Sequence, residues 1–290
     1  MTHSSPLAGR VVLITGAARG IGAQTARLLA ERGAHVSLTG LEPDRLETLA
    51  KELGDAHAWF ECDVTDQESV NNAVTATAER FGRIDVVMAN AGVAAYGTVR
   101  TYDPEAFAQT VDVNLTGVFR TVHAALPHVI EQRGHVLVVA SLASFTPVAG
   151  LSAYAASKAG ADSLACALRQ EVAHLGVSVG SAHPSWIDTD MVRGAKADLA
   201  SFEEALKHMP PPANSFTSVD RCAAALVRGI ERRARRVYVP RTVAAVNWMR
   251  AVWTGPLADR IALRTTRTLV PRMEQELGRL GRSFGEHVRR

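Results

Sequence analysis

The chain has 290 residues, of which 47% are hydrophobic and 21% are charged, and its formal net charge is +3. This composition is typical of a globular protein with a sizeable core, and the balanced charge gives no reason to expect a nucleic-acid partner. No apolar run reaches the roughly 18 residues of a membrane-spanning helix, and the N-terminus lacks the pattern of a signal peptide. Cys62, Cys166 and Cys222 form no CxxC pair, so we expect no metal site, no disulfide and a cytoplasmic location.

Short apolar runs alternate with longer helical stretches between residues 11 and 239. The runs predict strands of a parallel sheet covered on both faces, at residues 11–14, 35–39, 58–61, 84–89, 135–140, 177–182 and 237–239. The stretches between them predict helices at residues 21–32, 43–53, 67–81, 104–132, 153–175 and 219–230. Strand and helix in alternation, with right-handed crossovers, predict a doubly wound α/β fold with a parallel sheet of roughly seven strands.

A glycine-rich turn, Thr15-Gly-Ala-Ala-Arg-Gly-Ile-Gly22, joins the first predicted strand to the first predicted helix. Glycines allow a tight turn there and leave no Cβ to keep the backbone away from a pyrophosphate. The helix that follows offers unpaired N–H groups to such an anion. The spacing G-x-x-x-G-x-G differs from the general dinucleotide spacing G-x-G-x-x-G, so the turn alone also fits a plain strand–helix connection.

Tyr154 and Lys158 lie four residues apart on a predicted helix, so their side chains share one face about one turn apart. A neighbouring ammonium would stabilise the phenolate and lower the phenol pKa toward neutral pH, where acid–base catalysis is effective. The alternative is an ordinary exposed helix pair. Ser141 ends the fifth predicted strand and is the candidate partner of this pair, with Ser144 as its competitor.

Taken together and in this order, the motifs resemble the short-chain dehydrogenase/reductase family over about residues 8–240. The resemblance is carried by TGxxxGxG at 15–22, Asp63-Val64 after the third strand, the NAG motif Asn90-Ala91-Gly92, Asn114 in Val-Asn-Leu-Thr-Gly, Ser141, Tyr154-Ala-Ala-Ser-Lys158, and the segment Pro184 to Thr189.

The resemblance implies a Rossmann fold and an NAD(P)-dependent oxidoreductase that moves hydride between the cofactor and an alcohol or carbonyl carbon. In the implied catalytic set Ser141 holds the substrate oxygen, Tyr154 exchanges the proton, Lys158 also holds the nicotinamide ribose, and Asn114 binds a water linked to Lys158. The implied cofactor-binding residues are Gly16, Ala18, Arg19, Gly20, Ile21, Gly22, Gly40, Leu41, Asp63, Val64, Asn90, Ala91, Gly92, Tyr154, Lys158, Pro184, Ile187 and Thr189.

The sequence departs from the family pattern at two places. The family usually has glycine after the proline of the nicotinamide segment, whereas Ser185 stands here, so we expect backbone strain or a different loop. The acid that holds the NAD ribose at the end of the second strand is replaced by Gly40. Arg19 could bind the 2′-phosphate of NADP, and Glu42 could serve as a displaced ribose acid. The cofactor expected is NADP or NAD, with a slight preference for NADP.

The segment 190–215 has an apolar side, which favours a lipophilic alcohol or ketone as substrate, although plain helix packing would give the same pattern. The substrate contacts expected are Trp186, which core packing would explain equally well, Met191 and Phe202. Two other functions stay open, a catalytically silent dinucleotide-binding sensor or scaffold and a reductase of 3-oxoacyl chains on a carrier protein. The intact catalytic set argues against the first alternative, and the basic tail against the second.

The last fifty residues, 241–290, extend beyond the family pattern and hold ten arginines against four acidic residues. We expect residues 1–240 to form the Rossmann domain and residues 241–290 to form a helical extension. That extension would pack on the core or on a neighbouring subunit of a homodimer or homotetramer. The alternative is a basic amphipathic segment on an anionic membrane surface.

Overall fold

The computed structural model describes residues 5–207, 209, 214–282 and 284. Its strands are β1 (Val11–Thr15), β2 (His35–Gly40), β3 (Ala58–Glu61), β4 (Val86–Ala89), β5 (His135–Val139), β6 (Ser178–Pro184), β7 (Trp186–Ile187), β8 (Phe216–Thr217) and β9 (Arg236–Val239). Seven of them form one parallel sheet in the order β3-β2-β1-β4-β5-β6-β9, as the sequence predicts, while β7 pairs with β8. The strand order reverses between β1 and β4, and a crevice opens there at the carboxyl ends of the strands.

Helices cover both faces of this sheet. They are α1 (Gly20–Glu31), α2 (Pro43–Leu53), α3 (Gln67–Phe81), α4 (Pro104–Val111), α5 (Gly117–Glu131), α6 (Ser152–Val172), α7 (Asp190–Asp198), α8 (Ala200–Lys207), α9 (Val219–Glu231), α10 (Val243–Trp248), α11 (Arg250–Trp253) and α12 (Pro256–Leu280). Val12 and Ile14 of β1 pack with α1, α2 and α9, whereas Leu13 packs with α3, α5 and α6. Successive strand residues point to opposite faces, so each face of the sheet has its own core.

The predicted helix over residues 104–132 is not continuous. A π-helical turn at Asp112–Thr116 separates α4 from α5. Asn114 lies within that turn and is completely buried, with its side chain bonded to the backbone of Val93. These long-range bonds hold the turn, because each extra residue of a π turn must be compensated by contacts outside the helix.

The C-terminal segment is helical through α10, α11 and α12. Val243 and Val246 of α10 pack against Leu142 and Phe145 near the end of β5. Helix α12 packs against α8, and buries Leu269 and Met273. Among the described residues, no helix combines the length and apolarity needed to cross a membrane.

Candidate active site

The glycine-rich turn between β1 and α1 is packed tightly against the loop that follows β4. Gly16 and Gly20 have positive φ angles of 64° and 57°. A Cβ on Gly16 would lie 2.8 Å from the Ala91 Cα, and one on Gly22 would lie 2.3 Å from the Gly16 carbonyl oxygen. The Asn90 amide donates to the carbonyl oxygens of Thr15 (2.9 Å) and Gly16 (3.1 Å). Glycine is therefore required at these positions by the backbone itself, and the turn stays open on its outer side.

A cavity of about 460 Å³ opens beside this turn at the carboxyl ends of the strands. Every predicted cofactor-binding residue except Ala18 lines it, and so do the three candidate catalytic residues Ser141, Tyr154 and Lys158. Ten further residues line the cavity. One is Glu42, the candidate displaced ribose acid, and the sequence did not assign the other nine: Cys62, Val93, Gln109, Val113, Val139, Ala140, Ser185, Asp190 and Val192. Most of them adjoin predicted residues along the chain, whereas Gln109 and Val113 reach the cavity from α4 and the π turn.

Ser141 and Tyr154 face each other across this cavity. Ser141 follows β5 directly, and its Oγ accepts a hydrogen bond from the Ala143 N–H at 3.1 Å. Lys158 is buried one turn after Tyr154 on α6, with its Nζ 5.9 Å from the centre of the tyrosine ring. The Lys158 ammonium donates to the Val139 carbonyl oxygen at 2.8 Å, so the end of β5 holds it. The three side chains therefore meet at one point of the cavity.

Burial shifts the pKa of both titratable groups in this cluster. It raises the pKa of Tyr154, and a hydrogen bond with Ser141 opposes that shift without cancelling it. It lowers the pKa of Lys158 to about 8, because the charged form loses its hydration. The expected lowering of the Tyr154 pKa by Lys158 is therefore not seen in this structure. The free-energy cost of burying a phenolate exceeds the stabilisation that the Ser141 hydrogen bond gives it.

Asn114 is held entirely by protein groups. Its Oδ1 accepts from the Val93 N–H at 2.8 Å, and its Nδ2 donates to the Val93 carbonyl oxygen at 2.9 Å and to the Ser157 Oγ at 3.1 Å. A Cβ on Gly92 would lie 3.1 Å from the Asn114 Oδ1 and 3.2 Å from the Lys158 Nζ, so both groups border the same glycine. Asn114 thus lies behind Lys158 and outside the cavity lining, and its binding of a water stays a prediction.

The competing serine, Ser144, takes a different place. Its Oγ donates to the Lys158 carbonyl oxygen at 2.9 Å and accepts from the Ser141 N–H at 3.3 Å. It therefore connects α6 to the turn that carries Ser141, while Ser141 itself lines the cavity. This arrangement favours Ser141 as the residue that meets the substrate.

The segment after β6 shows what replaces the family's usual glycine. Ser185 does not have a positive φ, so serine brings no backbone strain at this position. Its N–H donates to the Val239 carbonyl oxygen at 2.7 Å, while its Oγ is buried without a hydrogen-bond partner among the described residues. Thr189 lies close to the glycine-rich turn, because a Cβ on Gly20 would be 3.5 Å from the Thr189 Cγ2.

Charged groups frame the opposite end of the cavity. The Arg19 Nη2 lies 2.9 Å from the Glu42 Oε1, and the Arg45 Nε lies 3.8 Å from the same oxygen. The nearest atoms to a Cβ on Gly40 would be 3.8 Å away, so the backbone there accommodates a Cβ in ordinary van der Waals contact. Arg19 and Glu42 therefore form an ion pair with each other. They are the two residues that the sequence offers for binding the adenosine ribose or its 2′-phosphate.

The three candidate substrate residues separate into two groups. Met191 lines the cavity. Trp186 and Phe202 make an edge-to-face contact with ring centres 5.1 Å apart, within an apolar cluster that also includes Leu199 of the 190–207 segment and Leu277 of α12. Neither aromatic ring lines the cavity. Their contact with substrate stays a prediction, and the structure gives them a packing role in the segment beside it.

Comparison with known proteins agrees with this geometry. Residues 10–200 match the short chain dehydrogenase family. Trans-4-hydroxycyclohexanecarboxylate dehydrogenase of Sinomonas cyclohexanicum is 35% identical over 202 residues, which cover 67% of this chain and 78% of the relative. Levodione reductase has a similar structure, with a TM-score of 0.74 and 30% identity over 82% of this chain and 99% of that one.

A 3-ketoacyl-(acyl-carrier-protein) reductase of Brucella melitensis, solved as a complex with NADH, has a TM-score of 0.72. It is 27% identical over 80% of this chain and 97% of its own chain. The structural similarity therefore includes most of this chain and nearly all of the Brucella melitensis protein.

Proposed function

The chain belongs to the short chain dehydrogenase family and is an oxidoreductase of alcohol and carbonyl groups, and we propose that it interconverts a free lipophilic secondary alcohol and its ketone. The observation that carries this proposal is the single cavity that joins the glycine-rich turn to Ser141, Tyr154 and Lys158. A binding module has no need of a half-buried phenol and a buried ammonium beside the nucleotide cleft.

The cavity fits a nicotinamide dinucleotide, NAD or NADP. Side chains are absent where a pyrophosphate would pass the glycine-rich turn, and a Cβ on Gly92 would crowd Lys158. The buried, unpartnered Ser185 hydroxyl at the other end of the cavity offers a hydrogen bond to a bound group. Lys158 and Thr189 are the residues proposed to hold the nicotinamide half. When bound, the nicotinamide ring supplies or accepts the hydride.

Proton transfer is assigned to Tyr154. In the reductive direction its phenol donates the proton to the carbonyl oxygen that becomes the alcohol. Ser141 uses its Oγ as an acceptor from the Ala143 N–H, so its hydroxyl hydrogen, which bonds to Tyr154 in this structure, is proposed to turn to the same substrate oxygen when substrate binds. The charge of Lys158 favours the phenolate that remains, and Asn114 keeps the adjoining loop in place. In the oxidative direction each of these steps reverses.

A free substrate is favoured by the chemistry of the cavity wall. Val113, Met191 and Val192 give it an apolar side next to the catalytic groups. The relative from Sinomonas cyclohexanicum is named for a free cyclic secondary alcohol. The Brucella melitensis protein is named for a carrier-bound 3-ketoacyl group, so a carrier-bound substrate is the second candidate.

The experiment follows the absorbance of reduced nicotinamide with a panel of cyclic and acyclic ketones, their alcohols and a carrier-bound 3-oxoacyl chain. We expect turnover of the free ketones. Tyr154→Phe is expected to lower kcat by at least about 100-fold, the usual contribution of general acid–base catalysis, and to leave cofactor affinity unchanged. Tyr102→Phe is the matched control, because that phenol donates to the Ala95 carbonyl oxygen and does not line the cavity.

Three outcomes would contradict the proposal. Cofactor binding without turnover of any panel member would indicate a sensor or scaffold. Turnover of the carrier-bound chain alone would assign the second candidate. A Tyr154→Phe variant that keeps more than a few per cent of the wild-type kcat would show that another group moves the proton.

A further inference from the structure

His183 is a completely buried residue of β6 that sits directly behind the Ser141 backbone. Its Nδ1 lies 3.3 Å from the Ser141 carbonyl oxygen. Its Nε2 lies 3.0 Å from the Arg236 Nη1, 3.1 Å from the Ser181 Oγ and 3.4 Å from the Asp162 Oδ1. Four elements therefore meet at one imidazole: the end of β5, β6 itself, β9 with Arg236, and α6 with Asp162.

The partners of this imidazole select one tautomer. The Arg236 guanidinium can only donate hydrogen bonds, and at 3.0 Å it lies nearer to Nε2 than the Asp162 carboxylate does at 3.4 Å, so Nε2 is assigned as an acceptor. The Ser181 hydroxyl donates its hydrogen to the Asp162 Oδ1 at 2.7 Å, and so it has none left for Nε2. A neutral imidazole has a single N–H, which is therefore on Nδ1 and points at the Ser141 carbonyl oxygen.

Aromatic packing fixes the plane of the same ring. His183 stacks on Tyr238 with ring centres 5.4 Å apart and an interplanar angle of 26°. It also packs against Phe145, with ring centres 5.3 Å apart. Val243 and Val246 of α10 pack against this cluster from outside. The imidazole cannot rotate without displacing these groups, so its N–H direction is set by the fold.

We propose that His183 is a positioning residue for the reaction. Arg236 and Asp162 fix its tautomer, and its Nδ1–H then fixes the Ser141 carbonyl and thereby the direction of the Ser141 hydroxyl. This inference rests on the proposed function, in which that hydroxyl meets the substrate oxygen. Asp162 is also four residues after Lys158 on α6, so the network ties the helix that bears Tyr154 and Lys158 to the strand end that bears Ser141.

The first test is a double-mutant cycle in kcat and KM. His183→Phe keeps a ring in the aromatic stack and removes the donor to Ser141. We expect kcat to fall by about 10- to 100-fold, as small misplacements of catalytic groups do, with cofactor affinity unchanged. In a Ser141→Ala background the same change is expected to alter kcat by less than about twofold, because a residue that acts through another loses its effect when that residue is gone.

His135→Phe is the matched control, because His135 is also buried and bonded to a serine, but lies at the opposite end of β5. It is expected to change the melting temperature without changing kcat. The second test reads the tautomer by long-range ¹H–¹⁵N NMR, with the His183 signal identified by its loss in His183→Phe. We expect the Nδ1–H form in the wild type and its loss in Arg236→Met.

The inference is overturned if the wild type shows the Nε2–H form, if His183→Phe lowers kcat equally with and without Ser141, or if it lowers only the melting temperature. A Ser141→Ala variant with wild-type kcat would instead contradict the proposed role of Ser141. The NMR spectrum still reports on the His183 network in that case, so the two failures are distinguishable.

Discussion

The Tyr154 phenol and the Lys158 ammonium have pKa values displaced in opposite directions by the same cause, burial. The phenol pKa lies above its usual value, so the phenol keeps its proton at neutral pH. The Lys158 pKa of about 8 leaves the lysine largely charged at pH 7 and neutral above about pH 8. The site is thus prepared to donate a proton, as ketone reduction requires.

The pH dependence of the two directions should differ accordingly. Oxidation needs the phenolate, so kcat/KM for the alcohol is expected to rise with pH above neutral. Reduction needs the phenol, so kcat/KM for the ketone is expected to be flat around pH 7 and to fall only at alkaline pH. Steady-state profiles in both directions check this, and Ser141→Ala is expected to move the rise to higher pH, because it removes the hydrogen bond that opposes the raised pKa of Tyr154. An alcohol-oxidation optimum at or below pH 7 would contradict a raised Tyr154 pKa.

We propose that the Arg19–Glu42 pair determines the choice between NAD and NADP. In this proposal Arg19 breaks its ion pair with Glu42 and binds the 2′-phosphate of NADP. Arg19→Ala should then weaken NADP binding about tenfold, the usual effect of losing one charge-assisted hydrogen bond, and should weaken NAD binding much less. Gly40→Asp should favour NAD, because a Cβ fits at this position and the added carboxylate would repel the 2′-phosphate of NADP. Dissociation constants for both cofactors test this, with Arg27→Ala as control, since Arg27 pairs with Glu52 on an exposed surface. Equal losses for both cofactors would show that Arg19 does not read the phosphate.

Residues close together along the chain were the ones that the sequence could assign. Tyr154 and Lys158 share a helix face, and the glycines of the first turn are adjacent, so spacing alone places them. His183 and Arg236 gave no such signal, because they meet only when β6 and β9 pair in the sheet. The direction of the Tyr154 pKa shift differs from the one that the helix spacing predicts for a related cause, since burial depends on the whole fold.

At the level of elements, periodicity predicted the strands and helices of the sheet and their parallel order. The apolar runs were recognisable because a strand buried on both faces is apolar throughout. The π turn between α4 and α5 was missed, since the bonds from Asn114 to Val93 that hold it span 21 residues. Pattern reasoning saw one helix there and could not place Gln109 and Val113 at the cavity.

Helix α12 shows the same limit more strongly. Its apolar residues predicted burial but not the surface they bury against. In the structure Met273 contacts Gly150, the Glu276 carboxylate accepts from the Ser201 N–H and hydroxyl, and Arg272 pairs with Glu204. The helix thus connects the loop before α6 with α8. Its partners on α8 are 68 to 75 residues away along the chain.

For the whole molecule, the two hypotheses for residues 241–290 are packing on the protein and contact with a membrane surface, and different parts of the segment support each of them. The α12 side chains Leu269 and Met273 are buried, as packing on the core requires. At the junction of α10 and α11, however, Trp248 is 90% exposed, and Met249 and Val252 are exposed too. These side chains are available to a neighbouring subunit or to a membrane surface. The proposed division into a domain of residues 1–240 and a packed extension therefore predicts a role in stability for α12 and in association for the junction.

Truncation after Pro240 tests this division. Each well-buried large side chain contributes roughly 1.5–3 kcal/mol, so losing Val243, Val246, Leu269 and Met273 removes an amount comparable to the whole stability of a domain. We expect a lower melting temperature for the truncated protein. Trp248→Ala, by contrast, is expected to keep the melting temperature and to shift the oligomer in size-exclusion chromatography. Val99→Ala is its control, being another exposed apolar side chain outside the extension.

The membrane alternative makes the opposite prediction for both variants. It expects the truncated protein to keep its melting temperature and to lose only its affinity for anionic vesicles, because a surface anchor contributes little to the folded core. It expects Trp248→Ala to weaken vesicle binding while the oligomer stays the same. Flotation with anionic and with neutral vesicles separates the two cases, since five exposed arginines between residues 241 and 267 would favour the anionic ones. A stable truncated protein with impaired flotation would overturn the packed extension, and the exposed tryptophan would then be a lipid contact.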